Sequence, residues 1–295
     1  MSHSNKQNIS RLKKHLRLKK QLVYKYLPVT INSLKLLVNG ELWFGVPKNQ
    51  NDPFEGEFVT KDYYSLPKEH MIRFYYESYP ELLNGNNLQE KIDEIHNNPF
   101  VFQRDVHIIL KKRLKEHYGI SCFSYVKDNV LMWSNYANSH KGFCVIFDKD
   151  LLNKSIKYPD FMLTGFIDVK YNSKLCEAEL LIEPRSIGFI NEKEILFQKL
   201  NTWKKEKETR LLAFYKNPSD ERNIGFDKRS ISGIIFGEKM HLEDKKIIKN
   251  LIINDNSYSN VVFYRAFKDF KTLKMKIIKD MSFENITAYY PVSAE

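Results

Sequence analysis

The sequence predicts an α+β fold, with a mixed, largely antiparallel sheet as the core and a helical segment inserted into it. Three observations support this prediction. Short runs of β-branched and aromatic residues recur along the chain, amphipathic patterns lie between some of them, and residues 66–118 are charged, Tyr-rich and helical in pattern. No stretch in the middle resembles a flexible linker, so we expect residues 22–295 to form a single domain.

The first part of the chain carries most of the excess positive charge. Residues 1–40 contain nine Lys or Arg and no acid, whereas the rest of the chain has 38 basic and 36 acidic residues. Ser10 can cap a helix, and we expect this basic helix to form an N-terminal segment over residues 1–21. Its candidate nucleic-acid-binding residues are Arg11, Lys13, Lys14, Arg17, Lys19 and Lys20.

The next fifty residues predict a strand, a helix and a second strand. Leu22–Tyr26 is β-branched and aromatic, which is typical of a strand. Thr30–Val38 is amphipathic and is followed by Asn39-Gly40, a pair that commonly ends a helix. Glu41–Val46 is again rich in strand-forming residues, and two or three helices follow it within residues 66–118.

From Gly119 onward the strand pattern returns. Short apolar or aromatic runs predict strands at Ile120–Ser124, Phe143–Phe147, Phe166–Tyr171, Glu208–Tyr215 and Ser232–Phe236. Amphipathic patterns predict helices at Glu192–Lys205 and His241–Ile253. The last two strands, Val261–Phe267 and Leu273–Ile278, are expected to form a hairpin-like pair.

Composition excludes several classes of protein. The three cysteines are odd in number and too dispersed for a disulfide framework or a structural zinc site, so we expect them in the core and expect no metal. The N-terminus has charge but no apolar region, unlike a secretory signal. No run approaches the roughly 20 apolar residues that span a bilayer. We therefore expect a cytoplasmic protein with no membrane partner.

The segment Asn49–Gly56 (NQNDPFEG) is a turn former, because Asp side chains bond nearby backbone amides and Pro fixes φ. It is either a loop stabiliser, or it brings Asp52 or Glu55 to a cleft.

The segment Leu131–Asp148 contains Trp133, Tyr136 and His140 at spacings of three and four, which a helix would place on one face. Such an aromatic stripe is either core or a platform for a ligand. His140 falls at a helix-to-strand corner, where functional side chains are common.

The segment Trp203–Leu212 (WKKEKETRLL) has two interpretations. A strand that begins near Glu206 places Glu206, Glu208 and Arg210 on one face, where Arg210 would keep the paired carboxylates ionised. A helix instead makes Glu206 and Arg210 an ordinary surface pair at i, i+4. The first arrangement predicts catalytic carboxylates, and the second predicts no site.

Taken in order, these segments resemble a large bacterial family of uncharacterised proteins. The shared pattern is a YKY-type strand, an NDPFE turn, an MWxxYxxxHKG block and a WxxExExR strand, and it covers about Leu22 to Leu251. That family is similar, more distantly, to the ADP-ribosyltransferase fold, which includes toxins that modify DNA. The resemblance favours the strand interpretation of WKKEKETR and implies that NAD is the substrate.

In that fold the NAD site is divided among three strands. The early strand carries His or Arg where this sequence has Lys25. The resemblance implies that NAD contacts come from Tyr24, Lys25, Tyr26, Ser124, Trp133, Tyr136 and His140. It also implies three catalytic residues. Glu208 would stabilise the ribose cation, and Glu206 would position the acceptor. Arg210 would keep both carboxylates ionised.

The leading hypothesis is an NAD-dependent ADP-ribosyltransferase or NAD glycohydrolase that acts as a bacterial defence or toxin effector, with an antitoxin or defence-complex partner. The alternative is a DNA- or RNA-binding or complex-forming module without catalysis, supported by the basic helix. A third hypothesis is a metal-dependent nuclease, which would need Asp160, Asp168 and Lys170 in one pocket.

Overall fold

The computed structural model describes residues 21–281, except 61–62, 64–65, 84–86, 99, 157–164, 184–185, 190 and 218–220. The predicted basic segment, with its six candidate nucleic-acid-binding residues (Arg11, Lys13, Lys14, Arg17, Lys19 and Lys20), lies outside the described residues, and so does Asp160. Among the described residues, no helix has the length and apolar content needed to cross a membrane.

The core is an eight-stranded sheet in the order β16-β15-β14-β5-β1-β4-β12-β6. Its neighbours pair antiparallel except β14 and β15, which are parallel. The α+β class with a mixed, mostly antiparallel sheet is therefore confirmed. The strands of this sheet are β1 (Leu22–Leu27), β4 (Tyr118–Ser124), β5 (Phe143–Asp148), β6 (Ile167–Asp168), β12 (Glu208–Phe214), β14 (Ile231–Phe236), β15 (Val262–Asp269) and β16 (Lys274–Lys279).

Eight further strands of the described residues form four two-stranded sheets. They are β2 (Glu41–Trp43), β3 (Val59–Thr60), β7 (Lys170–Asn172), β8 (Glu177–Ala178), β9 (Leu180–Glu183), β10 (Ser186–Phe189), β11 (Gln198–Leu200) and β13 (Asn223–Gly225).

The α-helices of the described residues are α1 (Ile31–Asn39), α2 (Lys68–Arg73), α3 (Leu88–Asn97), α4 (Phe100–His117), α5 (Val130–Tyr136), α6 (Lys149–Ser155), α7 (Glu192–Leu196) and α8 (Leu242–Ile253). A π-helical turn (Phe74–Ser78) continues α2, and 3₁₀ turns occur at Pro47–Asn49, Pro80–Leu83, Asn201–Glu206, Lys228–Ser230 and Asn256–Tyr258. The helical content of residues 66–118 agrees with the sequence pattern.

The helix predicted over Glu192–Lys205 is wrong beyond its first turn. α7 ends at Leu196, β11 follows, and the 3₁₀ turn Asn201–Glu206 completes the segment. β11 pairs in parallel with β7, which buries Gln198 and Lys199. Tertiary pairing therefore overrides the local helical propensity of this charged segment.

Two predicted strands are shorter than expected. The strand at Glu41 ends at Trp43, because Gly45 turns to form a separate bridge with Ile120. The strand at Phe166 is split at Val169, whose backbone N–H donates to the carbonyl of Glu208.

The two faces of the sheet bury different clusters. One face packs Val23, Phe123 and Leu211 with residues of α1 and α8. The opposite face packs Tyr24 and Tyr26 of β1 against α5. Because successive strand residues point to opposite faces, Lys25 belongs to the first face and its two tyrosine neighbours to the second. The second face is the one that carries the site.

Candidate functional site

Three strands singled out by the sequence lie side by side in the sheet. Tyr24 of β1 pairs with Ser124 of β4, and Ser124 pairs with Glu208 of β12. Residues more than 180 positions apart are thereby brought to the same end of the same sheet face.

A cleft of about 370 Å³, partly open to solvent, lies at this end of the sheet. It is lined by Tyr24, Tyr26, Gln50, Cys122, Phe123, Met132, Tyr136, Lys199, Glu206 and Glu208. Five of the residues predicted from the sequence therefore meet in one cleft: Tyr24, Tyr26, Tyr136, Glu206 and Glu208.

Lys199 bridges the two carboxylates of the cleft. Its Nζ lies 2.8 Å from Glu206 Oε2 and 2.8 Å from Glu208 Oε2. The other oxygen of Glu206, Oε1, accepts a 2.9 Å hydrogen bond from the Tyr136 hydroxyl. Both glutamates are about 95 % buried, so each charge is held by a specific partner and not by bulk water.

Arg210 supports Glu208 from behind the cleft. Its Nε donates to Glu208 Oε1 at 2.6 Å, while Nη1 and Nη2 bond the two oxygens of Glu55 at 2.6 and 2.8 Å. Nη1 also donates to the carbonyl of Leu196. Arg210 is fully buried, and the fork geometry of a guanidinium suits this bidentate contact.

These contacts set the charge states of the network. Burial opposes ionisation of Glu208, but the positive charges of Arg210 and Lys199 outweigh it and lower its pKa to about 2. Burial disfavours the Lys199 ammonium, yet Glu208 and Glu206 raise its pKa above the ordinary value. Burial, with Glu206 nearby, raises the pKa of the Tyr136 hydroxyl, so this group remains a hydrogen-bond donor. At neutral pH Glu208 is an anion and Lys199 a cation.

Glu206 reaches the cleft by a different route from the predicted one. It ends the 3₁₀ turn, and Lys207 then takes a left-handed conformation (φ 45°) before β12 begins at Glu208. The strand interpretation is therefore correct for Glu208 and Arg210, and wrong for Glu206. The turn is fixed because Ser124 Oγ donates to the carbonyl of Glu206 (2.6 Å) and Tyr125 N to that of Lys207 (3.0 Å).

Ser124 and Lys25, both predicted to contact NAD, do not line the cleft. Besides its bond to Glu206, Ser124 Oγ accepts a hydrogen bond from Val126 N at 3.0 Å, so the hydroxyl holds two loops together. Lys25 Nζ donates to Ser121 Oγ at 3.0 Å and to the Cys122 carbonyl at 3.1 Å. Burial lowers the pKa of this amine.

Trp133 lies beneath the cleft as part of the core. It is fully buried, its ring makes an edge contact with Tyr26 at 5.1 Å, and its Nε1 donates to the Lys127 carbonyl. It supports Tyr26 and offers no free face for stacking.

His140 does not share a helix face with Trp133 and Tyr136. α5 ends at Tyr136, and Asn138, Ser139 and His140 follow with positive φ. Gly142 forces this turn against β1, because a Cβ there would lie 2.1 Å from the Leu27 carbonyl oxygen. Burial, with Lys239 beside it, lowers the pKa of His140, which is not among the residues of the cleft.

The turn NDPFEG stabilises its loop, as the first of its two interpretations predicts, and it also supplies one residue to the charge network. Asp52 Oδ1 accepts from the backbone N–H of Phe54 at 3.0 Å, which is the expected turn contact. Glu55 is the bidentate partner of Arg210 and so belongs to the charge network, one layer behind the cleft. Neither side chain lines the cleft itself.

The sequence patterns did not indicate five residues of the cleft, namely Lys199, Gln50, Cys122, Phe123 and Met132. Lys199 lay within the incorrectly predicted helix, where it had no reason to face a carboxylate. Burial, together with Glu208, raises the pKa of the Cys122 thiol, so it is not a reactive thiolate.

Asp168 and Lys170, the two residues of the nuclease hypothesis that the structure describes, do not line this cleft. Asp168 is exposed and accepts from the Tyr125 hydroxyl at 2.8 Å, and Lys170 is exposed on β7. Within the described ranges, no group of three His, Cys, Asp or Glu side chains is arranged to hold a metal ion.

A family model described as "Protein of unknown function (DUF2971)" matches residues 132–211. The match runs from α5 to β12 and includes Tyr136, Lys199, Glu206 and Glu208. Over these residues it agrees with the predicted resemblance to an uncharacterised family. Neither a curated protein nor a solved structure matches the chain.

Proposed function

We propose that the protein cleaves the nicotinamide–ribose bond of NAD and transfers ADP-ribose to an acceptor or to water. It would thus be an ADP-ribosyltransferase or an NAD glycohydrolase. One observation carries the proposal: tyrosines of β1 and α5 and two carboxylates from β12 and the turn before it line the same cleft.

The chemistry of the cleft suits the nicotinamide end of NAD. That ring is planar and carries a positive charge, which aromatic faces and nearby carboxylates both attract. Tyr24, Tyr26 and Tyr136 supply aromatic wall, and Glu206 and Glu208 supply carboxylate oxygens that share Lys199 as a counter-ion. The rest of the dinucleotide would extend through the open side of the cleft.

The two glutamates would have different roles in the reaction. When the N–C1′ bond breaks, its electron pair passes to the ring nitrogen, and the ribose carbon becomes an oxocarbenium-like cation. Glu208, ionised because Arg210 and Lys199 lower its pKa to about 2, would stabilise this cation. An acceptor O–H or N–H would then bond C1′, and its proton would pass to Glu206 and on to solvent.

Labelled NAD tests the proposal through release of free nicotinamide. We expect release by the unmodified chain and a loss of roughly 100-fold or more in Glu208→Gln, the scale of removing one electrostatic contact to a transition state. In Glu206→Gln we expect transfer to an acceptor to fall more than nicotinamide release. Expression toxicity that disappears in Glu208→Gln would support a defence or toxin role.

The matched control is Glu192→Gln. Glu192 is equally buried and is also held by an arginine, Arg113, but it lies outside the cleft. We expect its nicotinamide release to be unchanged. Absence of release by the unmodified chain, or equal release in folded Glu208→Gln, contradicts the proposal.

A further inference from the structure

A second cleft lies beside the first and shares Glu206 with it. Its empty volume is about 450 Å³, and its lining is mainly apolar. The lining residues are Asn129, Leu131, Asn135, Thr202, Trp203, Lys205 and Glu206. A molecule in this cleft would lie next to the carboxylate that is proposed to receive the acceptor's proton.

The walls of the second cleft suit a flat, polar-edged ring. Trp203 is half-buried, and Lys199 Nζ lies 5.0 Å from its ring centroid, which fixes the indole beside the charge network. Leu131 is 55 % exposed and adds an apolar surface. The exposed Asn135 amide has no hydrogen-bond partner among the described residues, so it can pair with the edge of a bound ring.

Four lysines lie in the lining of this cleft or next to it in sequence, and they are called the rim lysines. Lys205 lines the cleft, and Lys127, Lys204 and Lys207 each lie within two residues of a lining residue. All four are exposed, and within the described part of the chain none of them forms an ion pair. These lysines lie on two segments, residues 125–129 and 204–207, which two hydrogen bonds hold together. Asn129 Nδ2 donates to the carbonyl of Lys205 at 2.8 Å, and Tyr125 N donates to the carbonyl of Lys207 at 3.0 Å. The one acid in the lining, Glu206, is already paired with Lys199.

We propose that the second cleft binds a base of a single-stranded nucleic acid, with the rim lysines on its phosphates. Base stacking on an aromatic side chain with lysines along the backbone is the common mode of single-strand binding, and paired bases do not present their faces. If the proposed NAD cleavage is correct, the base or its sugar at Glu206 is the ADP-ribose acceptor. That last step alone rests on the proposed function.

Binding is measured by fluorescence anisotropy of a labelled, mixed-sequence oligonucleotide, as DNA and as RNA, over a range of salt. The full chain is used, so residues 1–20 are the same in every variant. We expect Trp203→Ala to weaken binding roughly 10-fold, the scale of losing one stacked base. Trp203→Phe retains an aromatic face and should keep most of the affinity. Trp43→Ala, at an exposed tryptophan on β2, is the control and should bind normally.

A second pair of variants tests the rim. In one variant, three rim lysines are changed together to Ala: Lys127, Lys204 and Lys205. The slope of log Kd against log salt concentration should fall by about 2, because each phosphate of a single strand that a lysine neutralises contributes about 0.7 to this slope. Lys112, Lys115 and Lys216, exposed at the opposite end of β4 and β12, give the same charge change and should leave the slope unaltered.

The outcomes separate this proposal from the proposed function. Three outcomes would overturn the proposal that the second cleft binds nucleic acid. The two triple-lysine variants could have equal effects, Trp203→Ala could bind the oligonucleotide normally, or poly-glutamate could bind as tightly as the oligonucleotide. Oligonucleotide binding with these effects but without nicotinamide release would support the cleft and contradict the NAD proposal. Nicotinamide release with no oligonucleotide binding would support the NAD proposal and contradict the nucleic-acid cleft.

Discussion

Two buried charge networks differ in what surrounds them. In the helical segment, Lys91 Nζ contacts Asp105 at 2.9 Å and Glu94 at 3.1 Å, and the Tyr75 hydroxyl donates to Asp105 at 2.9 Å. This network links α3, α4 and the π-helical turn. Its Glu94 is 43 % exposed, whereas the network around Arg210 is buried throughout and its Glu206 and Glu208 face a cleft.

The comparison shows that burial of charge does not by itself mark a functional site. Both networks satisfy their buried polar groups, as any folded protein must. The Lys91 network is explained by that requirement alone. The Arg210 network also places two carboxylates where a ligand can reach them, which structural pairing does not require.

The largest expected effect is on stability in Arg210→Met. The change leaves Glu55 and Glu208 buried without their shared cation, so we expect the free energy of unfolding to fall by about 3–5 kcal/mol in urea titrations. Lys91→Met should cost less, about 2 kcal/mol, because Asp105 keeps Arg104 and Tyr75. Equal losses would show that the Arg210 network is no more tightly coupled than the helical one.

The next effect is on the pH dependence of stability. Glu208 has a pKa of about 2 in the folded protein and an ordinary value of 4.5, so its charge stabilises the fold above about pH 4.5. That contribution, about 3 kcal/mol, should be lost as the pH falls towards 2. Unfolding free energies measured across this range should therefore fall more steeply in the unmodified chain than in Glu208→Gln. Parallel curves for the two proteins would contradict the assigned charge state.

The smallest expected effect separates the two networks most cleanly. Tyr136→Phe and Tyr75→Phe each remove one 2.9 Å hydrogen bond from a hydroxyl to a carboxylate. Each should lower the free energy of unfolding by about 1.5 kcal/mol. Only Tyr136→Phe, in the cleft, should also slow nicotinamide release, measured beside unfolding in the same preparations. Equal slowing in Tyr75→Phe would mean that stability, not the cleft, controls turnover.

Local patterns were sufficient for much of the fold. The strands around Tyr24, Ser124 and Phe143 and the helix at Leu242 begin and end within a few residues of the predicted bounds, because their periodicity and caps act locally. The prediction of one long helix from Glu192 was wrong. The charged residues of this segment favour a helix locally, but β11 forms because it pairs with β7. The left-handed Lys207 gave no signal in the sequence, although it decides where Glu206 points.

The sequence by itself determined the α+β class and singled out three tyrosines and two glutamates of the cleft. Alternation of side chains along a strand is a local property, so it could place Glu208 and Arg210 on one face. Only the tertiary structure decided which distant groups meet there. Arg210 pairs with Glu55, 155 residues away, and Lys199 lies between Glu206 and Glu208. Such contacts follow from strand order and register, because these set distances that chain spacing does not encode.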